Sequence, residues 1–381
     1  MSFKHFMPLD HVLRTPLAII FIALLSGCFG GASKPKPTEL QPVTALVSAR
    51  QSWNVRIGKV DFPLQVSVSG STVVLAAGDG TVAMLDAQSG RDLWRILLKT
   101  PIAAGVGSDG KLVAVVTRDN DVVALQDGRE LWRQKLNAQS FTAPFVAGGR
   151  GFVLAADRSV NAFDGQTGRK LWSQQRPTEP LVLSQSGVML AVGDTLVVGL
   201  AGRLAGLSPA NGSVRWEVPI ASPRGINDVE RLVDLVGRVS RDGDNVCARA
   251  FQASIGCVNA ARGSLLWTKP ANGVQGISGD DRVLFGTEAD GTVIAWKRAD
   301  GERVWSVDRL RYRNLTAPLL AGRSVVVGDL AGFVHLLSRD DGSLLNRLPT
   351  DGSAIAAAPV LVESTLVVVT QNGGVYGFQP E

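Results

Sequence analysis

Asp164-Gly165-Gln166-Thr167-Gly168-Arg169-Lys170-Leu171-Trp172 decides the fold of this chain, because near copies of it return along almost the whole sequence. A glycine stands four residues ahead of a tryptophan at Gly90/Trp94, Gly128/Trp132, Gly168/Trp172, Gly212/Trp216, Gly263/Trp267 and Gly301/Trp305, and Gly342 keeps the offset with Asn346 in the tryptophan's place. The aspartate that opens each turn can accept backbone N–H groups, and the closing glycine takes the positive φ that L-residues resist. The tryptophan then falls in a strand, where its large apolar area can bury against a neighbouring sheet while the indole N–H finds a backbone acceptor. It reads as a docking peg.

Upstream of the peg, three short apolar runs bounded by Gly and Asp clusters complete a unit: Phe141–Ala147, Gly151–Ala156 and Ser159–Phe163, with Arg169–Ser173 as the fourth. Runs of this length at this interval are strands. Successive pegs lie 38 to 51 residues apart from Trp53 to Asn346. Four-stranded repeats of about 40–45 residues predict a β-propeller. The eight last-strand positions make it eight-bladed and all-β. Trp53 lacks three strands of its own, whereas Ser353–Val362, Thr365–Thr370 and Gly374–Phe378 lack a fourth. The N-terminal strand therefore closes the last blade, which removes free sheet edges.

The composition agrees: hydrophobic residues make up 45%, charged residues 19%, and 42 glycines supply the turns. At the N-terminus, Lys4 and Arg14 precede an apolar run from Pro16 to Leu25 and then Ser26-Gly27-Cys28. The run is shorter than the roughly 20 residues of a membrane span, and small residues precede the expected cut. Leu25-Ser26-Gly27-Cys28 resembles a bacterial lipobox, which implies a signal peptide over 1–27 and a lipid on Cys28. Phe29, where an aspartate would retain the protein, implies sorting to the outer membrane, with the protein facing the periplasm. Residues 28–44, rich in Gly, Ser, Lys, Pro and Thr, read as a flexible tether, and 45–381 as the propeller. Beyond the leader the charge is +4 against +5 for the whole chain, with signs interleaved and no basic block, so nucleic acid is not an expected partner.

Of three histidines only His335 lies outside the leader, in an alternating strand without a catalytic partner nearby in sequence, and it receives no role. Trp296 departs from the peg register and reads as an extra packing or rim residue. Cys247 and Cys257 flank a turn and could join neighbouring strands in an oxidising compartment, although sequence leaves their register open. No P-loop, zinc spacing, dinucleotide fingerprint or nucleophile constellation is present. Gly78-Asp79-Gly80 sits between strands rather than opening a helix, so no phosphate site is expected there. No catalytic residue, cofactor or metal is assigned.

The longest peg-to-peg interval, Trp216 to Trp267, carries about ten extra residues in Pro223–Gly237, where Asp228, Glu230, Arg231 and Asp234 interleave with Val229, Leu232, Val233 and Leu235. Insertions into repeats map to surface loops, often on the binding face. The Asp-x-x-Ser/Thr-Gly-x-x-x-Trp repeat resembles two propeller groups. One is the quinone-dependent (PQQ) dehydrogenases, but nothing matches beyond the blade motif: this chain lacks their adjacent cysteine pair and their large catalytic insertions. The other is the BamB lipoprotein family of the outer-membrane β-barrel assembly machinery, similar over lipobox, tether, eight blades and insert. That resemblance implies a non-enzymatic scaffold lipoprotein that binds the POTRA domains of BamA, sits among the other subunits of the complex, and could also meet unfolded outer-membrane clients. The family's Leu-x-Leu-Arg stretch falls on Leu181, Leu183 and Ser184, and its Asp-x-Asp on Asp234 and Val236. Ser184 replaces the arginine and Val236 the second acid, which implies either an interface relying more on Leu181, Leu183 and the remaining charges or compensation by Arg231 and Arg224. The expected arrangement is an apolar pair, Leu181 and Leu183, with Asp234 as a rim charge whose loss weakens binding in a salt-dependent way.

Overall fold

In the computed structural model, residues 1, 35–175, 181–223, 226 and 232–381 are described. The propeller unit spans Thr38–Glu381; of the other unit, Met1–Pro37, only the exposed Met1 and residues 35–37 fall within the description. Eight four-stranded antiparallel sheets follow one another along the chain. Blade 3 consists of Phe145–Ala147, Arg150–Leu154, Val160–Asp164 and Lys170–Gln174, within a few residues of the strands expected from sequence. Blades 1, 2, 4, 5, 6 and 7 occupy 67–97, 102–135, 189–219, 235–270, 277–307 and 319–349. In blade 8, Val360–Val362, Thr365–Val369 and Gly374–Pro380 are completed by Ala49–Arg56, with Ala49 opposite Pro380 and Arg56 opposite Gly374. The ring is closed by the two ends of the chain.

The middle strands of each blade are apolar on both faces because each lies between two other blades. Val73, Val74, Leu75 and Ala76 in blade 1 and Val325 and Val327 in blade 7 are fully buried. The outer strands alternate instead, as in Asp92–Leu97, where only Trp94 and Ile96 are partly covered.

The turn that opens each outer strand is built as its residues dictate. Asp164 accepts from Thr167 N and Thr167 Oγ1, both at 2.8 Å, and Gly168 N donates to the Asp164 carbonyl at 2.9 Å. These bonds hold the Asp164 carboxyl below its ordinary pKa, the backbone amide of Thr167 contributing most. The glycine has a second task. Gly168 lies at φ 71°, and a Cβ placed there would come within 2.6 Å of the Trp132 ring of the preceding blade. Trp132 Nε1 also donates to Gly165 O, in the same turn, at 2.8 Å. The peg of one blade is thus stacked on the glycine and bonded to a carbonyl of the next. Trp53 on Gly90, Trp172 on Gly212, Trp267 on Gly301 and Trp305 on Gly342 repeat the arrangement, each with its indole bond.

Asn346 stands where no such turn exists, because the outer strand of blade 8 comes from the opposite end of the chain. Its Nδ2 donates instead to Val47 O at 2.8 Å. The stretch read as tether ends earlier than position 44. Thr38 N donates to Arg311 O at 3.0 Å, Arg313 Nη1 donates to Thr38 O at 3.0 Å, Leu40 packs against the apolar cluster shared by blades 6 and 7, and Leu46 N donates to Leu345 O at 2.8 Å. Residues 38–47 run along blade 7 because backbone groups and one leucine find partners there, which composition does not reveal.

Arg313 is held in turn by a buried carboxylate. Asp329 Oδ2 accepts from Arg313 Nε at 2.7 Å and lies 2.9 Å from His335 Nε2, all three residues being buried. Arg347 Nε donates to His335 Nδ1 at 3.4 Å, so a neutral imidazole with its proton on Nε2 satisfies both neighbours. Burial holds the His335 pKa below its ordinary value despite the attraction of Asp329, with Arg347 and Arg313 acting in the same direction as burial. Trp296 is likewise a packing residue, buried with the Arg249 guanidinium 5.6 Å over its ring. Cys247 and Cys257 stand directly opposite in the two middle strands of blade 5 and form a disulfide.

Gly168→Ala meets both a left-handed backbone and the Trp132 ring, and is expected to destabilise the fold by roughly 2–4 kcal/mol. Gly148→Ala, at φ 59° with nothing within 4 Å, carries only the backbone cost of about 1–2 kcal/mol. Denaturant midpoints at constant m-value compare the two. For His335, the unfolded chain takes up a proton near 6.5 whereas the folded chain resists it, so stability is full above that pH and falls as the pH drops below it. Thermal midpoints of the mature protein between pH 7.5 and 5.5 are expected to fall further for the wild type than for His335→Gln.

Candidate functional site

Within each antiparallel blade, the turn between the second and third strands and the connection leaving the fourth strand lie on one face of the ring. The two loops that depart from the repeat, between blades 3 and 4 and between blades 4 and 5, therefore share that face. Cys28, Arg224 and Arg231 lie outside the described residues, as do Val229 and Glu230. Leu181, Leu183, Ser184, Asp234 and Val236 are described.

The structure separates the two leucines. Leu181 is 39% exposed, whereas Leu183 is partly covered and lines a cleft with Phe141, Leu154, Val182, Leu235 and Val236. Ser184 is exposed at the bend that follows. Val236 is buried in the first strand of blade 5, opposite Arg249, so the residue standing where the family carries a second acid faces the interior.

Asp234 is not the rim charge anticipated from sequence. Its side chain is 15% exposed, its Oδ1 accepts from Arg158 Nη1 at 2.5 Å, and its Oδ2 accepts from Leu183 N at 2.9 Å. Arg158 Nη2 donates to Leu181 O at 2.8 Å. The short loop is thus gripped at both ends through its backbone, by Arg158 at residue 181 and by Asp234 at residue 183, which leaves the Leu181 side chain outward. The backbone that carries this carboxylate is itself anchored, since Phe251 N donates to the Asp234 main-chain carbonyl at 2.9 Å and Val233 packs into the core between blades 4 and 5. Further along, Gly187 N donates to Thr142 Oγ1 at 2.9 Å and Gly237 N to Ser186 O at 2.8 Å. Blade 3, the 181–187 connection and the first strand of blade 5 are tied together across the end of blade 4.

Arg158 was not singled out from the sequence, yet a signal for it exists. In all eight blades the turn between the second and third strands contains a residue at positive φ: Gly80, Asn120, Arg158, Gly202, Gln252, Gly291, Gly332 and Gly373. Six blades fill it with glycine or asparagine, apart from Gln252 and Arg158. At φ 60° Arg158 occupies a left-handed conformation costing about 1–2 kcal/mol for a residue with a Cβ. Aligning the eight repeats on Asp79-Gly80-Thr81 and Asp290-Gly291-Thr292 places Asp157-Arg158-Ser159 among the exceptions.

Among the described residues, no three His, Cys, Asp or Glu side chains converge as metal ligands. The arrangement presents an apolar side chain on a backbone-clamped loop, a geometry suited to docking another protein.

The family model described as "Outer membrane protein assembly factor BamB" matches residues 78–307. The outer membrane protein assembly factor BamB of Burkholderia pseudomallei is 39% identical over 368 residues, which cover 95% of this chain and 96% of that one. Among solved structures, BamB from Moraxella catarrhalis superposes with a TM-score of 0.79 at 22% identity, over 87% of this chain and 99% of that one. The quinohemoprotein alcohol dehydrogenase from Comamonas testosteroni superposes with a TM-score of 0.67 at 14% identity, over 88% of this chain and 77% of its own, and shares the propeller fold alone. With the family model matched over more than half its length and a relative at this identity spanning nearly all of it, the chain belongs to the BamB family of outer membrane protein assembly factors.

Proposed function

We propose that this protein is an accessory subunit of the outer-membrane β-barrel assembly machinery, held to the membrane by a lipid on Cys28 and docking the periplasmic POTRA domains of the barrel subunit BamA. The observation that carries the docking reading is the 181–183 loop, where Leu181 stands 39% exposed on a backbone bonded at both ends. An ordered apolar residue surrounded by polar groups is the usual centre of a protein interface, because little entropy is lost when it is buried. A scaffold role follows from the fold: a closed ring of eight blades holds its loops rigidly while offering several faces at once. Unfolded outer-membrane clients are a second class of partner, for which the outer strands supply unpaired backbone groups.

Leu181 is a better probe than Leu183, whose partial burial would confound binding with local unfolding. Leu181→Glu in the full-length lipoprotein is expected to reduce co-purification with BamA at least tenfold while leaving the thermal midpoint within a few degrees of wild type. A photo-crosslinker at position 181 is expected to capture BamA in cells. Wild-type recovery of BamA by the Leu181→Glu protein would remove this loop from the interface.

A further inference from the structure

We infer that Asp234 serves the interface without touching the partner, as one half of a clamp whose other half is Arg158, and that the pair sets the conformation in which the 181–183 loop presents Leu181. This deepens the docking proposed above and rests on it. Four observations carry it. The carboxylate is consumed within the chain, one oxygen by Arg158 Nη1 and the other by Leu183 N. The guanidinium divides itself between Asp234 and Leu181 O. Arg158 is 6% exposed and the Asp234 side chain 15%, so the charge pair is largely withdrawn from solvent. Finally, its backbone keeps a left-handed conformation that this turn elsewhere gives mainly to glycine, a cost without purpose unless the side chain is needed at that point.

The chemistry explains why arginine stands there. Two separate donors on one planar group reach a carboxylate and a carbonyl simultaneously, which an ammonium on a flexible stem does less well. Nε has no partner, so the geometry favours the two terminal nitrogens over complete satisfaction of the group. The clamp spans three parts of the chain far apart in sequence, the blade 3 turn, the inter-blade loop and the start of blade 5. Loss of either half is expected to free the loop, after which docking requires ordering it again.

The test is a double-mutant cycle on the full mature chain with Arg158→Met, Asp234→Asn and the double variant, measuring affinity for the purified periplasmic domains of BamA at two salt concentrations. Each single change is expected to weaken binding about tenfold or more, the double change no more than the worse single one, and the salt dependence to match wild type because neither charge meets the partner. Amide exchange at residues 181–187 is expected to quicken in all three, with thermal midpoints showing that the ring remains folded. Arg158→Lys, keeping the charge but not the fork, is expected to fall between wild type and Arg158→Met. Additive losses with a flattened salt dependence confined to Asp234→Asn would overturn the clamp and make Asp234 a direct contact. Full binding by both single variants while Leu181→Glu fails to bind also overturns the clamp but spares the docking loop. Full binding by Leu181→Glu itself removes the reading on which the clamp rests.

Discussion

The structure depends on one contact made again and again, an indole ring lying on the glycine of the next blade's turn. The contact joins neighbouring sheets where they diverge most, at the outer rim. It combines area burial of an aromatic side chain, on the order of 150–250 Å², with a hydrogen bond to a carbonyl in the same turn. Both partners are constrained. The glycine must lack a Cβ because the ring occupies its place, and the residue opposite the tryptophan in the third strand is small in most blades, as with Ala124, Ala162, Ala295 and Gly377. A change on either side is therefore felt by two blades.

The same logic accounts for the exception. Asn346 has no following turn to stack on because the ring closes there by pairing Ala49–Arg56 with the C-terminal strand. A planar amide bonded to Val47 replaces the indole, and residues 38–47 fill the side of blade 7 that a further turn would have covered. The buried Arg313, Asp329 and His335 hold the beginning of that segment through the Thr38 carbonyl. Burying these groups is costly unless each finds its partner, and here the carboxylate accepts from the guanidinium, the imidazole and the amides of Ala331 and Phe333. The N-terminal segment is thereby part of the propeller rather than an appendage from position 38 onward.

The candidate interface arises where the repeat is broken. Leu181 and Asp234 lie in the two irregular connections, and Arg158 in a turn whose residue type is exceptional. None of the three belongs to the peg and turn. In a rigid repeat the irregular loops are where recognition is commonly placed, and in this chain they are braced against one another by a largely covered ion pair rather than left independent.

The sequence by itself determined the eight blades, the four strands in each, the closure by the two chain ends and the two connections that depart from the repeat. These are local or periodic properties: strand alternation, a left-handed glycine, an aromatic at a fixed offset, a count of repeats. It also pointed to Leu181, Leu183 and Asp234, through resemblance. What each residue does was decided only by the tertiary structure. Asp234 looks like a surface charge in Val233-Asp234-Leu235, and nothing near it in sequence announces that Arg158, 76 residues earlier, will meet it. Likewise Thr38 looks like part of a tether until Arg313 reaches it, and the surface each peg docks on, the glycine of the next blade's turn, emerges only once the blades are side by side. Periodicity is written along the chain, whereas ion pairs, clamps and stacking across blades depend on which distant segments the closed ring brings together.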